Sequence, residues 1–195
     1  MTTSRIARSV ARHLAIAATA ALPLAVHAQE ACGPLVLKNP ALRLDEAYRM
    51  AEERAKAWKA DVATASIANS IHGPLKPDGS SEAWSFVFYS PSANAHVAVD
   101  TFRGKLSCWA QPGSAGRLPD LKPGFVLDGA RLFEIAKKHG EKPIADGYFV
   151  MIATAARPST RHATWALIYS RIDGRTTPPT VIVDANTGAV ESVQR

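Results

Sequence analysis

The sequence predicts an α+β fold of two tandem repeats, each an amphipathic helix packed on a small antiparallel β-sheet. Three observations lead there. The chain echoes itself at an offset of roughly 83 residues, the sign of a duplicated supersecondary unit: Leu44-Asp45-Glu46-Ala47 recurs as Leu127-Asp128-Gly129-Ala130, Trp84 as Trp165, and Val99-Asp100 with Gly104 as Val183-Asp184 with Gly188. Each copy opens on helical periodicity and continues as three or four strand-like runs with hairpin signals between them. Between the copies lies a stretch dense in Pro and Gly, from Gln111 to Phe125.

The first 28 residues read as a secretory signal: Arg5, Arg8 and Arg12 without an acid, an apolar stretch from Leu14 to Val26, and Val26-His27-Ala28 as the cleavage site. A transmembrane helix is the rival reading, but the run is Ala-rich, broken by Pro23, and short of the roughly 18 to 20 strongly apolar residues a span needs. Cleavage after Ala28 implies a periplasmic or secreted protein with no stable membrane insertion. It also removes three of the 23 basic residues and none of the 17 acidic ones, so the net charge falls from +6 to +3. No basic block or basic helix face remains, which argues against nucleic acid as a partner.

Residues 29–110 form the first predicted repeat. Leu44, Ala47, Tyr48, Ala51, Ala55, Trp58 and Val62 follow helical spacing, with Glu46, Arg49, Glu52, Lys56 and Lys59 on the other side. A weakly β-like stretch over 63–71 precedes a loop of breakers, His72 to Ser81. Trp84 to Tyr89 is a strand with Trp84, Phe86 and Phe88 on one face, and His96 to Thr101 follows it. Asp100 to Gly104 is a hairpin turn into Lys105 to Cys108. Residues 111–125 are a predicted linker.

Residues 126–195 form the second repeat. A shorter helix from about Leu127 to His139 is stopped by Gly140 and Pro143. Strands over 148–156, 164–171 and 180–184 follow, with a final hairpin on Asp184 to Gly188. The only two cysteines, Cys32 and Cys108, form an even pair in a chain predicted to be exported, which reads first as a disulfide. Two thiols without a His cluster lack the ligand set of a metal site.

Chemical motifs are sparse. No nucleophile elbow, His-Glu-x-x-His, phosphate loop or dinucleotide fingerprint occurs, and His72, His96, His139 and His162 are scattered without metal-ligand spacing. The expectation is therefore a non-enzyme without catalytic, cofactor-binding or metal-binding residues. The stretch Arg157-Pro-Ser-Thr-Arg161-His162 followed by Trp165 is the candidate partner-binding segment, because basic loop tips beside aromatics suit protein recognition. A solvated turn with two incidental arginines is the bland alternative.

The Leu-Asp-Glu-Ala helix start, the aromatic-led strand and the terminal Val-Ile-Val-Asp-Ala-Asn-Thr-Gly-Ala-Val hairpin resemble PepSY domains, with the second repeat the better match. That resemblance implies an exported module that binds another protein and modulates or inhibits an envelope peptidase. The chain is expected to be a monomer. Two further expectations are a small-ligand-binding periplasmic domain and a periplasmic immunity-type protein that neutralises a toxin. Asp100, Gly104, Asp184 and Gly188 read as turn architecture only.

Overall fold

The computed structural model describes residues 29–113, 117–118, 121–156 and 162–195. The predicted signal segment, Arg157 and Arg161 lie outside them. The chain runs β1 (Gln29–Val36), β2 (Leu42–Arg43), α1 (Leu44–Trp58), β3 (Ala63–Asn69), β4 (Ser80–Ser81), β5 (Ala83–Ser90), β6 (Ala95–Phe102) and β7 (Lys105–Pro112). It continues through α2 (Gly129–His139), α3 (Glu141–Ala145), β8 (Phe149–Ala156), β9 (Ala163–Ser170), β10 (Thr176–Asp184) and β11 (Val190–Gln194).

Two separate helix-on-sheet repeats are not what these elements build. Nine strands form one antiparallel sheet in the order β1-β7-β6-β5-β3-β8-β9-β10-β11, with β2 and β4 as a separate two-stranded ribbon. Among the described residues the fold is thus predominantly β with three short helices, and the predicted α+β tandem arrangement is corrected. The reason lies at β3 and β8, the strands that would have been inner edges of two sheets. An open edge presents unpaired backbone groups, and joining two of them satisfies both.

That seam is made largely by side chains. Backbone partnering is limited to Ala68 opposite Ala153. Around it the Thr154 hydroxyl accepts from Ile67 N–H at 2.8 Å, and Asn69 Oδ1 accepts from Ile152 N–H at 2.7 Å. The Asn69 amide donates to Gly73 O at 2.9 Å. Asn69 is buried, so each of these bonds also avoids the cost of a desolvated, unpaired polar group.

All three helices cover the same face. Along β5, Trp84, Phe86 and Phe88 alternate inward, and the register carries that face across to Ile67, Ile152, Leu167 and Val181. α1 packs Leu44, Ala47, Tyr48, Ala51 and Ala55 onto it, and Tyr48 meets the rings of Phe86, Phe88 and Phe125 at 6.0, 6.0 and 5.2 Å. α2 is capped by the Asp128 carboxylate, which accepts from Arg131 N–H at 3.0 Å. It buries Leu132 and Ala136 over β9 and β10.

The predicted hairpins appear at Asp100 to Gly104 and Asp184 to Gly188, with both glycines at positive φ. Two features were not foreseen. β1 is an edge strand paired with β7 and interrupted by register shifts around Cys32 and Leu35, where Pro34 is tolerated because an edge need not donate every N–H. The segment read as a linker also joins the core. Leu118 and Phe125 are buried, and Leu118 N–H donates to Thr64 O at 2.9 Å.

Among the described residues no helix packs on the opposite face of the sheet across its middle. A row running Ser107, Asp100, Ser85, Ala68, Ala153, Ala166, Ile182 and Ser192 crosses eight strands there. A neighbouring row carries Val87, Ala98 and Trp109, and Trp109 is 43% exposed.

Candidate functional site

The two predicted disulfide residues are bonded to each other: Cys32 and Cys108 face across β1 and β7 with Cα atoms 5.3 Å apart. Trp165, read from sequence as part of a recognition segment, is fully buried. Its indole N–H donates to Val126 O at 3.1 Å, because odd-numbered positions of β9 face the helices. It is a core residue, and the partner-binding role assigned to it is corrected. Arg157 and Arg161 lie outside the described residues, and His162 is the other described member of that segment.

A cleft lies between α1, the sheet and the 117–127 segment, with a volume of about 930 Å³. Its apolar walls include Tyr48, Phe88, Leu118, Leu121 and Phe125. Among the described residues, Lys56, Arg117 and Lys122 supply positive charge at its lining and Glu52 supplies negative charge. Glu52 holds Lys56 at 3.0 Å, one turn along the helix. Inside, the Tyr48 hydroxyl shares a hydrogen bond of 2.8 Å with the Thr64 hydroxyl. Burial pushes the Tyr48 phenol above its ordinary pKa, with the Thr64 bond acting in the opposite direction. It therefore stays neutral as a polar anchor in an apolar wall.

A second, smaller cavity of about 530 Å³ opens on the other side of the 121–123 strap, lined by Lys122, His162, Asp184, Asn186 and Thr187. Here the fold brings together three residues that sequence reading kept apart. His162 Nε2 is hydrogen-bonded to Glu191 Oε1 and lies 3.6 Å from Asp184 Oδ2. Asp184 and Thr164 are partners in the ladder, and His162, two residues before Thr164, falls on the same side.

Glu191 arrives by a bulge. Ile182 pairs with Ser192 while Val183 pairs with Val190, so Glu191 is the extra residue, and bulges re-aim side chains in this way. The other Asp184 oxygen, Oδ1, accepts from Asn186 N–H at 2.9 Å, Thr187 N–H at 2.7 Å and the Thr187 hydroxyl at 3.0 Å. Burial raises the Asp184 pKa, but those bonds and the nearby His162 outweigh it and hold the carboxyl below its usual range. The predicted turn aspartate thus serves the turn with one oxygen and the His162 cluster with the other.

A comparison with known proteins finds no matching family model, no matching curated protein and no matching solved structure.

Proposed function

We propose that this chain is an exported, non-catalytic binding protein whose cleft beneath α1 takes a small amphiphilic anion. The observation that carries the reading is the cleft itself, which combines aromatic and aliphatic walls with cations at its lining, as ligand sites of this size generally do. An apolar ligand body would lie against Phe88, Phe125 and Leu118, and its acidic end would meet Lys56, Arg117 or Lys122. Export is supported by the leader-like first 28 residues and by the Cys32–Cys108 bridge. Among the described residues no helix is long and apolar enough to cross a membrane.

Titration with anilinonaphthalene sulfonate, an aromatic anion whose fluorescence rises on leaving water, tests this. One saturable site is expected, with affinity falling at least fivefold in an Arg117→Ala/Lys122→Ala double variant and unchanged in Trp109→Ala. Equal affinity in all three proteins would sink the reading.

A second reading, protein binding with restraint of an envelope peptidase, is favoured by the helix-free face of the sheet and its exposed Trp109. Uncovered apolar surface of that kind suits a protein partner. A pull-down from host envelope extract decides it: a stoichiometric peptidase whose capture is lost with Trp109→Ala supports it, and capture indifferent to Trp109 removes it.

A further inference from the structure

The His162 cluster has the composition of a metal site. One imidazole nitrogen and two carboxylate oxygens, from His162, Asp184 and Glu191, lie within 4.8 Å of one another. An ion held at roughly 2.0 to 2.2 Å from each ligand atom sets those atoms about 3 to 4 Å apart, so the widest pair would close slightly and the hydrogen-bonded His162 and Glu191 would part slightly, shifts that side-chain rotation supplies. His162 and Asp184 are also half-sheltered, with side-chain exposures of 24% and 22%, while Glu191 stands at the exposed rim. Loose surface acids are far more exposed, as Asp45 is at 56%.

The arrangement is built rather than incidental. Three different elements converge: the start of β9, the end of β10 and the bulge of β11. Asp184 Oδ1 is occupied by three donors from its own turn, which orients Oδ2 toward His162. Ordering of a ligand carboxylate by outer hydrogen bonds is how metal sites hold their geometry. The cavity of about 530 Å³ borders His162 and Asp184, so an ion held by three protein atoms would keep a coordination position open toward it.

We propose that His162, Asp184 and Glu191 bind one divalent transition-metal ion. A mixed nitrogen and oxygen set suits Zn²⁺, Fe²⁺ or Mn²⁺ better than Ca²⁺ or Mg²⁺, which take oxygen alone, or Cu(I), which favours sulfur. Binding would replace the hydrogen bond between His162 and Glu191 with two metal bonds, releasing any proton held there. The ion would then tie the terminal edge strand β11 to β9 and β10. This site is separate from the cleft beneath α1, and either could fail without the other.

The test is calorimetric titration of ZnCl₂ and MnCl₂ into the tag-free exported protein at neutral pH, with Co²⁺ absorption as an independent report of imidazole coordination. One saturable ion per chain is expected. Affinity should fall at least tenfold in His162→Ala and in Glu191→Gln, and stay unchanged in His96→Ala. Glu191→Gln preserves size on an edge strand, so it decides the matter even if His162→Ala fails to fold. Absence of saturable binding, or binding equal in Glu191→Gln and the parent, would overturn the proposal and leave the cluster a hydrogen-bonded corner of the sheet.

Discussion

The two halves of the sheet solve one packing problem with reversed parts. In each, a buried tryptophan donates its indole N–H to a carbonyl close before a helix: Trp84 to Leu42 O at 2.8 Å and Trp165 to Val126 O at 3.1 Å. The tyrosines run opposite ways. Tyr48 reaches from α1 down to Thr64 on the sheet, whereas Tyr169 reaches from β9 up to Ala136 O in α2. Its ring occupies the space beside Gly140, where a Cβ would lie 2.0 Å from it. α1 begins without a side-chain cap and α2 has Asp128. The first half alone carries a disulfide. The difference teaches that the sequence echo records a shared layout of elements, while each half found its own interior contacts.

The largest effect should come from removing the shared part. Trp84→Ala and Trp165→Ala are each expected to cost about 3 to 5 kcal/mol, the usual range for emptying a large aromatic site. Because the sheet is continuous, each variant should still unfold in a single transition at a lower Tm by calorimetry. Two resolved transitions in either variant would show that the halves melt apart, and the comparison would become one of independent units.

Next comes the part only one half has. Reducing the bridge, or replacing both Cys32 and Cys108 with Ser, should lower stability by about 2 to 4 kcal/mol, read as a shift in the urea midpoint. If strand protection measured by hydrogen exchange drops in β10 as much as in β7, coupling across the sheet is complete.

The seam offers a smaller and sharper test. Asn69→Ala strips the partner from Ile152 N–H and one of two donors from Gly73 O, the Ser81 hydroxyl remaining, for an expected loss of about 2 kcal/mol. Exchange should accelerate most at Ile152. Unchanged exchange there would mean that the Thr154 bonds, the Ala68–Ala153 pair and packing hold the halves together without Asn69.

The smallest effect at neutral pH belongs to the reversed tyrosines. Burial pushes the Tyr169 phenol from 10.0 up to about 12. A raised folded-state pKa contributes stability that is intact below pH 10 and lost as pH rises through 12. Tyr169→Phe should cost about 1 kcal/mol at pH 7 and should flatten the alkaline decline over that window. An undiminished decline in the variant would point to another titrating group.

What the sequence made legible was local. Alternation in Trp84-Ser-Phe-Val-Phe and the Asp-x-x-x-Gly turns identified strands and hairpins, because side-chain period and turn chemistry act over a few residues. The joining of β3 to β8 was invisible. Its backbone pair is Ala68 with Ala153, and its hydrogen bonds come from an asparagine and a threonine, residue types that carry no periodic signal. Trp165 looked like a recognition residue beside a basic loop, but its parity within β9 sends it inward. Glu191 reads as an ordinary outward strand residue until the bulge redirects it, and nothing at His162 hints at a partner 29 residues away. Asp184 was correctly read as a turn residue, and its second oxygen had no signature at all.

The strand order also has a meaning in time. A chain that crosses a membrane N-terminus first would present β1, β3, β5, β6 and β7, with both cysteines, to an oxidising compartment before β8 arrives. During that interval β3 is a provisional border, with Ile67 N–H and Asn69 Oδ1 lacking their partners on β8, and bare borders recruit strands from other chains. The second half then acts as the first half's own chaperone, covering that border from within the same molecule. Early closure of the bridge at β1 and β7 would hold the waiting sheet together from its far side until β8 arrives.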